Sequence, residues 1–512
     1  MIFFETLGIL AILPDFFLGL SICFMTLIFS FITTAEQNKK GSYASKAELK
    51  FCVIQVLAYT FFLEQNKPLL TGTYFYGALA QDITTKIVKQ SVLIFTIITL
   101  AITYGYIRRN QIVFFEYWIL VLLSNLAIFF IVQSHDLIAL YLSLELQALA
   151  FYTLAAFKRQ SSFSTEAGLK YIITGSFSSG IFLFGVSIIY GFSGTTNYEV
   201  LARLYELPPE NPLGITIGIF FTSSALLYKI GIAPFHQWAP DVYEGSPTAT
   251  IVYFSIVTKL PLMVAIIKIL YSTFISITNH WQNILVICGI ISLVVSNVGA
   301  IYQKKVKRFF VYSTVGHIGF IVLAFATGTM ISLQTIIIYM FCYISIITVT
   351  WGIITSLIKK QTKQQIKYLD ELKILEKENT FIAITFTIII FSMAGIPPIL
   401  GFYPKILIFV SLVEAKIFVI LFVIITASVI GSFYYLRVIK MIYFEKKEEK
   451  TVIKSQNKLS SKINKITSIM VSFSVLVVGL LFINPKLLYI TTQLISMKIL
   501  ICLSSSVVRA KD

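Results

Sequence analysis

Apolar residues along this chain fall in long, nearly unbroken runs separated by short polar gaps, not in the narrow stripe of an amphipathic soluble helix. A hydrocarbon core about 30 Å thick is crossed by about 20 mainly apolar helical residues. Runs of that kind predict spans near 13–34, 49–63, 90–107, 113–133, 135–157, 166–190 and 213–235. Further runs lie near 247–271, 279–302, 308–327, 330–358, 380–411, 414–439 and 466–484. The pattern predicts an all-α polytopic membrane protein of about fourteen transmembrane helices.

The distribution of positive charge orients these spans. Numbered in order, the odd gaps hold about 26 Lys and Arg residues and the even gaps about five, which places the N-terminus outside. One missed or invented span in the middle would scramble that alternation. Residues 486–511 carry Lys486, Lys498, Arg509 and Lys511. They fit the rule if 487–503 cross the membrane once more or lie along its interface.

Composition agrees with a lipid solvent: of 512 residues, 57% are apolar, 15% aromatic and only 13% charged. The net charge of +17 resides in the gaps between spans and not on a basic stripe with interleaved aromatics, which argues against nucleic-acid binding. The five cysteines (23, 52, 288, 342 and 502) are scattered, without the spacing of a disulfide framework or an iron–sulfur site. The four histidines show no paired ligand spacing, so no metal site is expected. The first dozen residues, MIFFETLGILAI, lack the basic residues of a secretory signal or an Arg-rich transit peptide.

Against this background the charges inside the spans stand out. Glu145, in HDLIALYLSLELQALAF, lies near the middle of the fifth span, where an ionised carboxylate needs a partner. Asp136, at the start of that span, has the position of an N-cap. Lys170, Lys229, Lys259 and Lys405 follow in spans six, seven, eight and twelve. A lysine within a turn or two of an interface can snorkel to water, a reading open to Lys170 and much less to Lys259, which has roughly a dozen apolar residues on either side. His236 and His317 are candidates for proton exchange, although a core histidine bonded to a carbonyl is the plainer reading for each.

Two spans also carry backbone breakers beside their lysines. Gly231 and Pro234 follow Lys229, while Gly395, Pro397, Pro398 and Gly401 precede Lys405. Proline removes a donor, and the carbonyls it frees are tolerated at membrane depth only inside protein or along a wet cavity. Two such breaks five spans apart point to an internal repeat with discontinuous helices around an ion path, against the plainer reading of two kinks.

The stretches DLIALYLSLELQALAFYTLAA, FSTEAGLKYIITGSFSSGIFLFG, YKIGIAPFHQWAPDVYEGSPT, KVKRFFVYSTVGHIGF and FSMAGIPPILGFYPK resemble the antiporter-like, proton-translocating family of respiratory complex I and Mrp-type cation/proton antiporters. Within it, WAPDVYEGSPT is closest to the complex I chain 2 and bacterial subunit N branch. The resemblance implies two inverted five-helix repeats, each with a broken helix, at 111–275 and 276–445. Residues 1–110 would carry three preceding helices, and 446–512 a basic loop, a last helix and the tail.

It also implies a proton relay in which Glu145 pairs with Lys229, Lys259 is the central link and Lys405 the outlet, with Lys170, His236 and His317 as further polar positions. The chain would be a subunit of NADH:ubiquinone reductase without a redox centre or cofactor of its own. FMN, iron–sulfur clusters and ubiquinone would belong to other subunits. Its partners would be other complex I membrane-arm subunits, antiporter-like ones above all, and lipid, with no nucleic acid. The expected site is the mitochondrial inner membrane, with the N-terminus toward the intermembrane space. The competing functions are a stand-alone or Mrp-type antiporter subunit and a structural membrane scaffold.

Overall fold

The computed structural model describes residues 2–36, 44–67, 72–110, 115–206, 213–325, 327–359, 364–397 and 399–445, with 459–460 and scattered residues from 468 to 496. The N-terminal helices are α1 (Ile2–Glu36), α2 (Ala44–Asn66) and α3 (Ile83–Arg109). A small antiparallel hairpin, β1 (Gly72–Tyr74) with β2 (Leu79–Gln81), links the last two in the register Gly72↔Gln81. There follow α4 (Phe115–Gln133), α5 (Leu137–Ala155), α6 (Ser162–Ser193) and the short α7 (Tyr198–Leu204). The seventh span is split into α8 (Leu213–Ile230) and α9 (Trp238–Gly245), and the eighth into α10 (Thr248–Ile256) and α11 (Lys259–Ile267). A π-helical turn, Lys268–Thr273, continues α11.

After these come α12 (Thr278–Tyr302), α13 (Val306–Phe325), α14 (Met330–Ser356) and a single turn, α15 (Leu375–Glu378). The twelfth span is again split, into α16 (Thr380–Ala394) and α17 (Phe402–Glu414), and α18 (Phe418–Tyr443) is the thirteenth. Among the described residues eleven helices are long and apolar enough to cross a membrane, and the split α16/α17 span adds to them. The fourteenth expected span, 466–484, falls mostly outside the described residues. The polytopic all-α class is as expected, with β structure among these residues limited to two tiny antiparallel strand pairs and a few isolated bridges.

Local chemistry sets the helix ends. Asp136 caps α5 by accepting from the Ile138 N–H at 2.7 Å, the structural role its position predicts. Asn379 caps α16 in the same way, accepting from Ile382 N at 3.2 Å. Gly194 ends α6 with φ of +69°, the left-handed conformation that glycine adopts most readily. Among the described residues the core is one large apolar cluster, deepest in α10, α11, α13 and α14, with a small satellite of Ile338, Cys342 and Leu400. α6 and α18 instead turn large apolar side chains outward, among them Phe177, Phe184, Phe422 and Phe433. Such faces suit lipid or a partner helix, because they have no water-compatible chemistry.

Candidate functional site

The seventh span breaks where the glycine and proline predict. Gly231, at φ of +86°, ends α8, and the chain runs through Pro234 and His236 before α9 begins at Trp238. A helix end at this depth leaves carbonyls that water cannot reach, so protein donors must meet them. The Trp238 indole donates to the Tyr228 carbonyl at 3.0 Å, and the Lys259 ammonium to the Ile230 carbonyl at 2.9 Å. The twelfth span repeats the device. Gly395, at φ of +77°, ends α16, and the Lys405 ammonium donates to the Ala394 carbonyl at 2.8 Å. Pro397 lies in this break and Pro398 lies outside the described residues. The Gly401 N–H, just before α17, is held by the Ser392 hydroxyl at 3.2 Å.

Glu145 and Lys229 meet as an ion pair at 3.9 Å, and the Lys229 ammonium lies 3.4 Å from the Leu144 carbonyl. Glu145 is partly exposed on the flank of the molecule, whereas Lys229 is nearly enclosed. Lys229 and Lys259 line one cavity of about 30 Å³, with Gln147, Tyr152, Tyr228 and Thr258 among the groups on its wall. A water needs roughly 10–15 Å³ of such space and two to four polar partners, so this cavity suits about two waters.

A second, smaller cavity of about 10 Å³ is lined by Lys405, His317, Asn297, Ser313 and Tyr435. There the His317 ring nitrogens are hydrogen-bonded to two phenols, Nδ1 to Tyr339 at 3.0 Å and Nε2 to Tyr435 at 3.2 Å. Lys405 also stands 5.2 Å from the Phe320 ring centre, a cation–π contact in place of a carboxylate. Tyr343 places its ring 5.6 Å from that of His317.

The remaining expected residues lie elsewhere. Lys170 is nearly half exposed, paired with Glu166 at 2.8 Å and Asp241 at 3.1 Å, and lines neither cavity. Its position two turns into α6 lets the side chain run back to the surface. Arg308 joins that network through Asp241 at 2.6 Å and through Glu244. His236 stays in the break beside Tyr312, with ring centres 6.3 Å apart.

Two features escape a reading of charges and glycines. The phenols around His317 carry no charge and look like any core tyrosine. The discontinuity between α10 and α11 precedes Lys259 directly, and its signal is Pro261, which has no N–H to return to the carbonyl of Val257.

The chain matches the family model described as NADH:quinone oxidoreductase/Mrp antiporter, transmembrane, over residues 134–431. It is 36% identical to NADH-ubiquinone oxidoreductase chain 2 of Marchantia polymorpha over 88% of this chain and 90% of that protein. It is 34% identical to NADH-quinone oxidoreductase subunit N of Pelagibacter ubique (strain HTCC1062), over 94% of this chain and 98% of that one. In fold it is similar to a chain of respiratory complex I from Thermus thermophilus with bound aureothin, at a TM-score of 0.76 and 22% identity. That match covers 93% of this chain and 98% of the other. Matching the model over more than half its length, and these relatives over most of theirs, the chain belongs to the NADH:quinone oxidoreductase/Mrp antiporter transmembrane family, among the members named chain 2 and subunit N.

Proposed function

We propose that protons move through this chain along a buried line from Glu145 and Lys229, across Lys259, past Tyr343 and His317, to Lys405. As a member of the chain 2 and subunit N group, the chain is a proton-translocating membrane-arm subunit of NADH:quinone oxidoreductase. The observation that carries the relay is the small cavity shared by Lys229 and Lys259, in which Gln147, Ser178, Thr258 and the two amines give an enclosed space with partners for water. The line passes the breaks at Gly231 and Gly395, one in 111–275 and one in 276–445, which we read as the two repeats.

The energies match the task. Two charges about 4 Å apart interact by about 4 kcal/mol at an effective dielectric near 20. Moving one charge against 100 mV costs about 2.3 kcal/mol. Displacing Glu145 toward or away from Lys229 therefore changes the energy of the Lys229 proton by more than one pumping step requires. Lys259 and Lys405, whose ammoniums face helix-end carbonyls and not carboxylates, then pass the charge on without a fixed counter-ion to trap it.

NADH oxidation and quinone reduction belong to other subunits, which would hold FMN, iron–sulfur clusters and ubiquinone. The neighbours of this chain are other antiporter-like and small membrane-arm subunits. Its place is the mitochondrial inner membrane, with the N-terminus toward the intermembrane space, in keeping with the lysine-rich gaps on the opposite side. An Mrp-type antiporter would use the same breaks and lysines, but the sequence identity lies with the oxidoreductase chains.

The test is the assembled enzyme in sealed liposomes carrying Lys259→Met, with NADH oxidation and proton uptake followed together. The expected result is fewer protons moved per NADH. An unchanged ratio at unchanged turnover overturns the line.

A further inference from the structure

A second group of buried charges lies outside both repeats, where α1 to α4 converge. Lys89 of α3 is 2.6 Å from Asp15 of α1 and 3.3 Å from Glu64 of α2. Gln133, the last residue of α4, donates from its amide nitrogen to the other Asp15 oxygen at 2.8 Å. These four side chains are 2% exposed or less. Lys67, just beyond the end of α2, stands 3.8 Å from Glu64 on the side where the hairpin β1–β2 links α2 to α3.

A clamp between helices would need one ion pair, and this cluster has acceptors beyond that need. Asp15 is satisfied by Lys89 and Gln133. Glu64 is not: both of its oxygens are buried with no hydrogen bond beyond the loose ion pairs to Lys89 and Lys67. The side-chain oxygen of Gln133 is also buried with no donor among the described residues, although its own amide nitrogen is bonded inside the cluster. A turn away along α1, the Gln81 amide donates to the Ala11 carbonyl and leaves its oxygen without a donor as well. Buried acceptors left without donors are costly, each by about 1–3 kcal/mol. One O–H on Glu64 supplies a donor and removes one of two nearby negative charges at once.

The geometry points to Glu64, with Asp15 and Lys89, as an exchangeable proton site in the N-terminal helices, separate from the Glu145–Lys405 line. The proton comes from water at the Lys67 end and forms an O–H bond to Glu64, turning a carboxylate into a neutral acid. Its release reverses that step. The occupant is a proton and not a metal cation, because the Lys89 ammonium already fills the space between the two carboxyls and would repel a second cation.

The charged groups around the site are few. On α3, Lys86 is turned away, donating to the Gln65 and Lys67 carbonyls at 2.9 and 3.0 Å. From the π-turn after α11, Lys268 donates to the Val132 carbonyl, one residue before Gln133. His135, two residues beyond Gln133, pairs with Glu199 at 3.3 Å. Lys268 lies on the same span as Lys259, so charge at the N-terminal site is placed to be felt by that span, although the two sites share no residue.

The test is infrared titration of the purified, assembled enzyme in H2O and D2O, for the parent and for Glu64→Gln, with sodium or potassium as the salt. The expected result is a D2O-sensitive carboxylic C=O band that titrates in the parent, disappears in Glu64→Gln and ignores the choice of cation. If Glu64→Gln fails to assemble, Lys89→Met serves, and the same band must titrate at a different pH. A parent with no such band at any pH makes the cluster a fixed clamp and overturns the proposal. A band that gives way to carboxylate only when sodium is present makes it a cation site and overturns it equally. Because Glu145 is absent from the site, the band must persist in Glu145→Gln whether or not the Glu145–Lys405 line is right.

Discussion

The ammonium of Lys259 lies 2.9 Å from the carbonyl oxygen of Ile230, the last residue of α8 before the break at Gly231. A helix C-terminus carries roughly half a negative charge in its unbonded carbonyls. The break in one span thus supplies the partner for a lysine on the next, and neither is satisfied without the other. In the twelfth span the lysine meets the break of its own span, Lys405 of α17 donating to the Ala394 carbonyl that ends α16 at 2.8 Å.

Pro261 is predicted to hold Lys259 in that position. Pro261→Ala returns an N–H to the carbonyl of Val257, a bond with a net value of about 1 kcal/mol, and favours a continuous helix through α10 and α11. No charge is removed, yet protons moved per NADH should fall in liposomes while the amount of assembled enzyme holds or rises. Unaltered pumping would show that the discontinuity does not aim Lys259.

Replacing Glu145 by Gln keeps the shape and deletes the charge facing Lys229 at 3.9 Å. Proton translocation should slow at least tenfold, which requires the loss of only about 1.4 kcal/mol from an interaction of about 4 kcal/mol. Glu145→Asp should recover part of the rate. Stability should drop by less than the roughly 3–5 kcal/mol of a fully buried broken pair, because Glu145 is partly exposed. Stopped-flow proton release and thermal melting of the purified enzyme read the two effects.

Gly395 has a double reason to be glycine. At φ of +77° any side chain is strained, and a Cβ there would lie 2.6 Å from the Lys405 ammonium nitrogen. Gly395→Ala should cost about 1–2 kcal/mol from the backbone alone, plus displacement of Lys405. The double variant with Lys405→Ala should be less destabilised than the two single costs combined, because the clash has gone. Melting temperatures of the three variants test this, and strict additivity would contradict it.

In a charged loop, Lys373 is held by Asp370 at 2.8 Å and by Glu445 at 2.9 Å, joining the 369–374 turn to the end of α18. The hydrogen bonds to Asp370 and Glu445 raise its pKa above the ordinary lysine value. A raised pKa stabilises the fold fully below the unfolded lysine's pKa and loses that contribution as pH climbs through the folded one. Lys373→Met should therefore loosen this loop at neutral pH by less than about 1 kcal/mol. The difference should vanish in strong alkali, as read by hydrogen exchange of residues 369–378.

Much of the molecule was legible in the sequence because lipid imposes a severe rule on it. A span must be apolar for about 20 residues, so the spans, and the charges that violate them, are visible without any knowledge of packing. Gly231 and Gly395 were legible for a related reason, since helix breakers at such depth have few explanations. Asp136 followed from helix capping alone. Tertiary structure decided which lysines share a space. Lys170 and Lys229 look alike as isolated charges in apolar runs. Two turns from its helix start, Lys170 reaches the surface and Asp241, whereas Lys229 ends its helix against Glu145 and a cavity. The phenols of Tyr339 and Tyr435, and the meeting of Asp15, Glu64 and Lys89 across three helices, are likewise products of packing. Residues far apart in the chain acquire a common chemistry only when helices cross, and one-dimensional periodicity carries no information about where they do.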